Sequence, residues 1–174
     1  MIDNESCSGA GIILFLDNRG VKQSKIIEFN DDIIYLVLED YKGRYDFPKG
    51  AFDLGEDVNP LFCAKREAFE EISLENEIDY TIINLENPII NKEKDSKKHL
   101  VMYVAEMSIN SYLQNKPKIV PNPHTGNLEH KNFFYIPYKE MFVQDTKSKN
   151  SKIPNYLKKY VSKANKIVNN HLKF

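Results

Sequence analysis

The sequence predicts one mixed α/β domain. Segments 8–17, 32–40 and 99–107 are rich in β-branched residues and are bounded by turn formers, as strands are. Segments 60–73 and 154–174 instead repeat apolar residues at helical spacing. A chain of 174 residues, 41% hydrophobic and 28% charged, suits a single globular domain and gives no sign of disorder or of a membrane span.

The first half of the chain alternates strands with loops. We expect strands over 8–17 and 32–40, with a loop over 18–25 between them. Segment 41–60 contains three glycines and two prolines, which predicts a loop with at most a short strand. A long connection of this kind in a compact domain is more often functional than idle.

A helix is predicted directly after this loop. Asn59 is a suitable N-cap and Pro60 suits the first helical position. Ser73 stands where the helix should end. The residues predicted to face the core share helical spacing and are Leu61, Ala64, Ala68 and Ile72.

In the second half, the pattern predicts further strands over 78–90 and 99–107. The charged segment 91–98 between them is predicted to be a hairpin loop. A second long polar loop follows over 109–132, and a short strand over 133–137.

The C-terminal segment predicts a basic amphipathic helix over about 153–173. The residues expected on its apolar face are Tyr156, Tyr160, Ala164, Ile167 and either His171 or Leu172. From Gln144 onward there are eight lysines and one acid, so this part carries +7 and the remainder about −8 of the net charge of −1. Such a surface either contacts a polyanion such as RNA or is simply solvated.

Two cysteines, Cys7 and Cys63, fit a reduced cytoplasmic protein better than a disulfide framework. No secretory signal is evident at the N-terminus, and no apolar run is long enough to cross a bilayer. The bias toward Lys, Asn and Ile is compatible with an AT-rich genome, such as that of a large DNA virus, for which the host cytoplasm would be the location.

The predicted helix carries a cluster of carboxylates on one face. Glu67, Glu70 and Glu71 stand at i, i+3 and i+4, where like charges repel by a few tenths of a kcal/mol per pair. Either solvent or a divalent cation should neutralise them. Mg²⁺ takes oxygen ligands, typically a few carboxylates together with waters and substrate phosphates.

Two neighbouring features support a cation. The preceding glycine-rich loop can bring backbone atoms close to the carboxylates. Arg66 can hold a glutamate in place by a charge-assisted hydrogen bond. Together these residues suit metal-assisted attack of water on a phosphate chain.

The stretch "GAFDLGEDVNPLFCAKREAFEEISL", Gly50 to Leu74, resembles the signature box of the Nudix hydrolases. That box reads Gly, five residues, Glu, seven residues, Arg-Glu, an apolar residue, any residue, Glu-Glu, any residue, Gly and an apolar residue. The fixed positions are matched by Gly50, Glu56, Arg66, Glu67, Ala68, Glu70, Glu71 and Leu74. The sequence departs from the box in having nine residues between Glu56 and Arg66, and Ser73 in place of the glycine.

This resemblance implies an α/β/α sandwich with a mixed sheet, and Mg²⁺- or Mn²⁺-dependent hydrolysis of a nucleoside diphosphate joined to another group. It implies metal ligation by Glu67, Glu70, Glu71 and the Gly50 carbonyl. Arg66 would orient Glu67, and Glu56 would support the loop. The general base would be a glutamate of the box, Glu67 or Glu71, or a glutamate outside it, for which Glu129 is the candidate.

The segment "YDFPKG" (45–50) resembles the approach to the box in three branches of that family: diadenosine polyphosphate hydrolases, diphosphoinositol polyphosphate phosphohydrolases and mRNA-decapping enzymes. Lys49 and Arg44 are candidates to bind the substrate phosphates. Capped RNA and dinucleoside polyphosphates are the favoured substrates, with RNA contact through the basic C-terminal helix. The departures from the box leave a second possibility, a domain that binds nucleotide or RNA without cleaving it. The exact substrate, the bond cleaved, the number of ions and the oligomeric state stay open.

Overall fold

The computed structural model describes residues 3–23, 31–91, 98–145 and 150–173. The strands within these ranges belong to one sheet and are β1 (Cys7–Asp17), β2 (Ile33–Asp40), β3 (Tyr45–Asp46), β4 (Lys49–Ala51), β5 (Tyr80–Ile82), β6 (Ile89–Ile90), β7 (His99–Met107) and β8 (His130–Pro137). The helices are α1 (Asn18–Gln23), α2 (Pro60–Ile72), α3 (Ile109–Leu113) and α4 (Asn155–Leu172), and 3₁₀ turns span Asn4–Ser6 and Tyr138–Phe142.

The sheet is mixed, as predicted. Its main order is β3-β2-β1-β7-β5, with β4 paired to β1, β6 to β7 and β8 to β2. β1 runs parallel to β7, and the other paired strands are antiparallel. The last residues of β1 pair with β2, whereas Gly9–Gly11 near its start pair with β4. This arrangement places the loop before α2 beside the beginning of the central strand.

Both faces of the sheet are buried. In β1, Ile12 and Leu14 belong to the apolar cluster that includes α2, while Ile13 and Phe15 belong to the cluster that includes α4. Because successive side chains of a strand point to opposite faces, this alternation places α2 and α4 on opposite sides of the sheet. The α/β/α sandwich is therefore confirmed. Burial on both faces also explains the unbroken apolar run "GIILFL".

The ends of α2 follow the sequence signals. The Oδ1 atom of Asn59 accepts a hydrogen bond from the backbone N–H of Phe62 at 2.8 Å, with Pro60 at the first helical position. Ser73 ends the helix in the left-handed conformation, with φ of 60° and ψ of 31°. Its N–H donates to the Phe69 carbonyl at 2.9 Å, as at a left-handed C-terminal cap.

The continuous strand predicted over 78–90 was wrong, because β5 and β6 are separate. The Asn84 side chain accepts a hydrogen bond from the Val104 N–H at 2.7 Å and so replaces a strand ladder bond. The chain turns there, with the Asn87 N–H donating to the Asn84 carbonyl at 3.1 Å. A polar side chain thus interrupts a segment whose composition favours a strand.

The predicted loops contain short helices and strands. α1 occupies most of the predicted loop 18–25, and positions 24–25 lie outside the described residues, as do 92–97 of the predicted hairpin loop. α3 begins the predicted loop 109–132, with the Ser108 side chain as its N-cap. β8 starts at His130 rather than at 133, and the 3₁₀ turn after it was not predicted. Across the described ranges, no helix combines the length and hydrophobicity that a membrane span requires.

The apolar face predicted for α4 was partly wrong. Tyr160 and Ala164 are buried as expected, but Tyr156 is half exposed and Ile167 only partly buried. The buried residues of this helix are Leu157, Tyr160, Val161, Ala164 and Val168. Leu157, Val161 and Val168 bury fully in this register. The Tyr156 ring instead lies 5.7 Å from Lys49 Nζ.

Candidate active site

Two glycines allow the loop before α2 to approach the sheet and the helix. A Cβ on residue 11 would meet the Pro48 carbonyl and the Lys49 side chain, so β4 could not lie beside β1 with a larger residue there. A Cβ on residue 50 would overlap the Glu67 carboxylate. The Gly50 backbone therefore lies directly against a carboxylate of α2.

Arg66 connects the loop to the carboxylates of the helix. Its Nε and Nη2 atoms donate to the two oxygens of Asp57, both at 2.8 Å. Its Nη1 atom donates to Glu67 Oε1 at 2.8 Å and Glu70 Oε2 at 3.0 Å. A single guanidinium thus orders two glutamates of the predicted cluster.

Asp57, rather than Glu56, holds the loop. The Glu56 side chain is 51% exposed and approaches Arg66 only to 4.0 Å, whereas the Asp57 side chain is fully buried. Asp57 Oδ2 also accepts a hydrogen bond from the Asp53 N–H at 2.8 Å, which closes the loop on itself. Six residues separate Gly50 from Asp57 and eight separate Asp57 from Arg66, where the box has five and seven. If Asp57 takes the place of the box glutamate, the two-residue insertion adds one residue on each side of this acid.

The environments of Asp57 and the glutamates shift their pKa values in opposite directions. Burial opposes ionisation of Asp57, but hydrogen bonding to Arg66 holds its pKa below the usual value. Burial raises the pKa of Glu67, and Arg66 offsets this only in part. Burial, together with the charges of Glu67 and Asp46, raises the pKa of Glu71 well above its usual range.

The carboxylates have the oxygen chemistry and the charge that suit a divalent cation. Glu71 is buried, and the backbone N–H of Lys49 donates to its Oε2 atom at 3.2 Å. Glu67 lies against the Gly50 backbone and Glu71 against the Lys49 backbone, and burial raises the pKa of both carboxylates. A cation would stabilise such a pair. Mg²⁺ and Mn²⁺ both fit this donor set.

The second long loop brings Glu129 to the same place. The N–H of Val120 donates to the Glu71 carbonyl at 3.0 Å, which ties this loop to the end of α2. A small cleft is lined by the three glutamates of α2 and, across from them, by Glu129 and His130. The Asn122 side chain donates to Glu129 Oε1 at 2.8 Å and orients this exposed carboxylate.

The two predicted substrate-binding cations lie in different surroundings. Lys49 is largely buried beside the cleft, and its Nζ atom lies 3.1 Å from Asp46 Oδ1. Burial opposes its charge, but Asp46 and Tyr156 together raise the pKa of the ammonium. Arg44 is half exposed in the turn after β2 and pairs with Asp40 at 2.8 Å. The structure brings Lys49 to the carboxylates, whereas the contacts described for Arg44 are with Asp40.

Three residues of the site were missed by sequence reasoning. Asp57 had a signal, since it is the acid next to Glu56 in a loop of altered length. His130 directly follows the candidate base Glu129, but a lone histidine carries little information. Asp46 lies 3.4 Å from His130 Nε2, a contact between residues 84 positions apart that no local pattern reveals.

Another cavity, of about 760 Å³, opens at the N-terminus of α2, and none of the clustered glutamates lines it. Its walls include Leu61, Val101 and Tyr103, with Asp3 and Glu86 among the polar groups. Since it has acids and no Lys or Arg among its lining residues, it does not suit a phosphate chain.

No protein-family model and no curated protein matches the sequence. Solved structures with the same fold include a C. elegans Ap4A hydrolase, with 18% identity over 95% of this chain and 99% of that chain and a TM-score of 0.57. They also include the Nudix hydrolase RenU from M. smegmatis, with 13% identity over 94% and 86% of the two chains and a TM-score of 0.60. A MutT protein from Methanosarcina mazei is similar as well, with 12% identity over 91% of both chains and a TM-score of 0.51. The protein therefore has the fold of the Nudix hydrolases.

Proposed function

We propose that the protein is a divalent-cation-dependent hydrolase that cleaves a phosphoanhydride bond in a substrate containing a nucleoside diphosphate. One observation carries the proposal: the three glutamates of α2 and Glu129, from a distant loop, line a common cleft. A purely structural acidic helix would have no reason to bury its carboxylates against a glycine and a second acidic loop.

Mg²⁺ or Mn²⁺ would be held by Glu67, Glu70, Glu71 and the Gly50 carbonyl. When bound, the ion offsets phosphate charge and makes water a better nucleophile at neutral pH. Arg66 keeps two of these carboxylates in position, because Asp57 fixes the guanidinium on its other side. The chain thus builds the site before substrate arrives.

Glu129 is the residue best placed to accept a proton from the attacking water. It is exposed at the cleft, and Asn122 fixes one of its oxygens. Glu67 is engaged by Arg66, and Glu71 is buried in the wall of the cleft, so both suit ligation better than proton transfer. A general base needs a carboxylate that reaches the water and stays ionised when the cation is bound.

Dinucleoside polyphosphates are the substrates that we favour. The sequence before the box resembles that of enzymes acting on such molecules, and the similar C. elegans structure is an Ap4A hydrolase. Lys49, adjacent to Gly50 and close to Glu71, can contact a phosphate as a point charge. A long polyphosphate would place one anhydride bond at the glutamates and further phosphates at this lysine.

Capped RNA is the second candidate, since α4 begins next to Lys49 and exposes Lys159, Lys163 and Lys166. Such a lysine row would give affinity that falls as salt rises. RNA binding that is unchanged between low and moderate salt would rule out a contribution from α4.

A substrate panel tests the proposal. The protein is assayed with Mg²⁺ or Mn²⁺ against diadenosine polyphosphates, capped RNA, diphosphoinositol phosphates and free nucleotides. We expect cation-dependent release of a nucleotide product, fastest from the diadenosine compounds. Tight binding of these ligands with no product in either metal would instead identify a non-catalytic nucleotide-binding domain.

A further inference from the structure

We propose that His130 supplies a nitrogen ligand to the cation at this site, so that the site binds a transition-metal ion such as Mn²⁺ in preference to Mg²⁺. The inference rests on the proposed function, because it concerns the same cleft. It adds a residue that lies outside the signature box and changes the expected ion.

The first support is the position of the imidazole. One ring nitrogen of His130 and one carboxylate oxygen each from Glu71 and Glu129 all lie within 4.8 Å of one another. His130 is buried, as is Glu71. Ligand atoms about 2 Å from a shared ion lie within this separation of each other, so an ion between Glu71 and His130 would need little rearrangement.

The second support is the hydrogen bonding of the ring. His130 Nε2 lies 3.4 Å from Asp46 Oδ2, and this carboxylate is also the ion-pair partner of Lys49. The contact that the structure describes for the His130 ring is this one, and it uses Nε2. In the tautomer that carries its hydrogen on Nε2, the ring donates this hydrogen bond to Asp46, and Nδ1 keeps a lone pair for a metal ion. Metal-binding histidines usually donate their other ring N–H to a carboxylate, a backbone carbonyl or a water, and here Asp46 is positioned to accept it.

The third support is an irregularity of the sheet at this residue. Asp40 of β2 pairs with His130, while the adjacent Glu39 pairs with Asn132, so Lys131 is an extra residue in β8. Extra residues of this kind redirect side chains and are common beside active sites. Lys131 itself turns to Glu39, with its Nζ 3.1 Å from Oε1, so it does not compete for the cleft.

The consequence is a change in metal preference. Mg²⁺ favours oxygen ligands alone, whereas an imidazole nitrogen suits transition metals such as Fe²⁺ and Zn²⁺ and is also accepted by Mn²⁺. Glu129 keeps the role of proton acceptor in this arrangement, since it is exposed and held by Asn122.

Pulsed EPR of the 174-residue chain loaded with Mn²⁺ tests the assignment, because a directly bound imidazole gives ¹⁴N couplings. We expect these couplings in the wild-type protein, their replacement by ¹⁵N couplings when only histidine is ¹⁵N-labelled, and their loss in His130→Asn. The matched control is His171→Asn. His171 also faces a carboxylate, Glu106, at 3.2 Å. Glu106 pairs with Phe15, near the end of β1 opposite to the segment that pairs with β4.

The affinities provide a second readout. His130→Asn should weaken Mn²⁺ binding about tenfold or more and Mg²⁺ binding clearly less, while His171→Asn changes neither. Glu129→Gln should keep the nitrogen couplings but lose turnover. Bound Mn²⁺ without histidine couplings in the wild-type protein would overturn the inference and leave the proposed function standing. Failure to bind Mn²⁺ at all would overturn both.

Discussion

Asp57, in the loop before α2, and Glu71, on α2, both carry buried carboxylates. The charged groups nearest to them differ in sign. Asp57 receives two hydrogen bonds from the Arg66 guanidinium, and its pKa is lowered. Glu71 receives a backbone N–H and lies near other acids, and its pKa is raised. A buried charge with its own counterion holds the loop in place. A buried charge with too little positive charge around it indicates a site that needs a cation.

The largest effect is expected from Glu71→Gln. Turnover should fall at least about 100-fold, because a direct ligand matters at least as much as its supporting residues. The metal-free variant should be more stable than the wild-type protein by about 1 kcal/mol, since a neutral amide removes an under-compensated buried charge. Steady-state kinetics and thermal unfolding in EDTA measure the two quantities.

Glu75→Gln is the matched control for this change, because Glu75 is an exposed acid just beyond the end of α2. It should alter neither quantity. Near-normal activity in Glu71→Gln would contradict the role of Glu71 as a cation ligand, and with it the distinction from Asp57.

Asp57→Asn should destabilise the protein without changing the ligand set. It leaves the largely buried Arg66 guanidinium with weaker partners, at a cost of about 2 kcal/mol in the free energy of unfolding. Glu56→Gln, the adjacent change, should cost less than about 0.5 kcal/mol because its side chain is half exposed. Urea unfolding measures the free energy of unfolding of both variants. An equal decrease in the two would mean that the loop does not depend on Asp57.

The dependence of the free energy of unfolding on acidic pH tests the role of Asp57 separately. The folded-state pKa of Asp57 lies below its ordinary value of 3.8, so its contribution is present above that pH and is lost as the pH falls through the folded value. Wild-type stability should therefore drop more steeply than that of Asp57→Asn in this window. Parallel curves for the two proteins below pH 4 would contradict the role of the ion pair.

Glu71 should act in the opposite direction in the metal-free protein. Its folded-state pKa lies well above the ordinary 4.5, so stability is highest below that pH and declines as the pH rises through the folded value. Saturating Mn²⁺ should flatten this decline, and Glu71→Gln should abolish it. Thermal unfolding in EDTA and in Mn²⁺ across pH 4 to about 8 measures the difference, and a decline that survives in Glu71→Gln would assign it to another group.

The smallest effect concerns the end of α2. Ser73 has a φ of 60°, a conformation that glycine adopts without strain. Ser73→Gly should stabilise the protein by up to about 1 kcal/mol and leave the metal affinity unchanged. A loss of stability on thermal unfolding would show that the serine side chain has a role at this position.

Features encoded locally were predictable from the sequence. Asn59, Pro60 and the acidic face of α2 gave the helix and its carboxylates, because capping and periodicity act within a few residues. The pairing of Asp57 with Arg66 depended on how a two-residue insertion is distributed, which spacing alone leaves open. The contact between Asp46 and His130, and the break at Asn84, arise only when distant strands meet.

A crystal of the protein grown or soaked with Mn²⁺ tests the central claim most directly, through the anomalous difference map. We predict a peak coordinated by Glu67 and Glu71, next to the Gly50 carbonyl. A map with no peak at α2, while the glutamates keep their positions, would contradict the assignment of these carboxylates as a cation site.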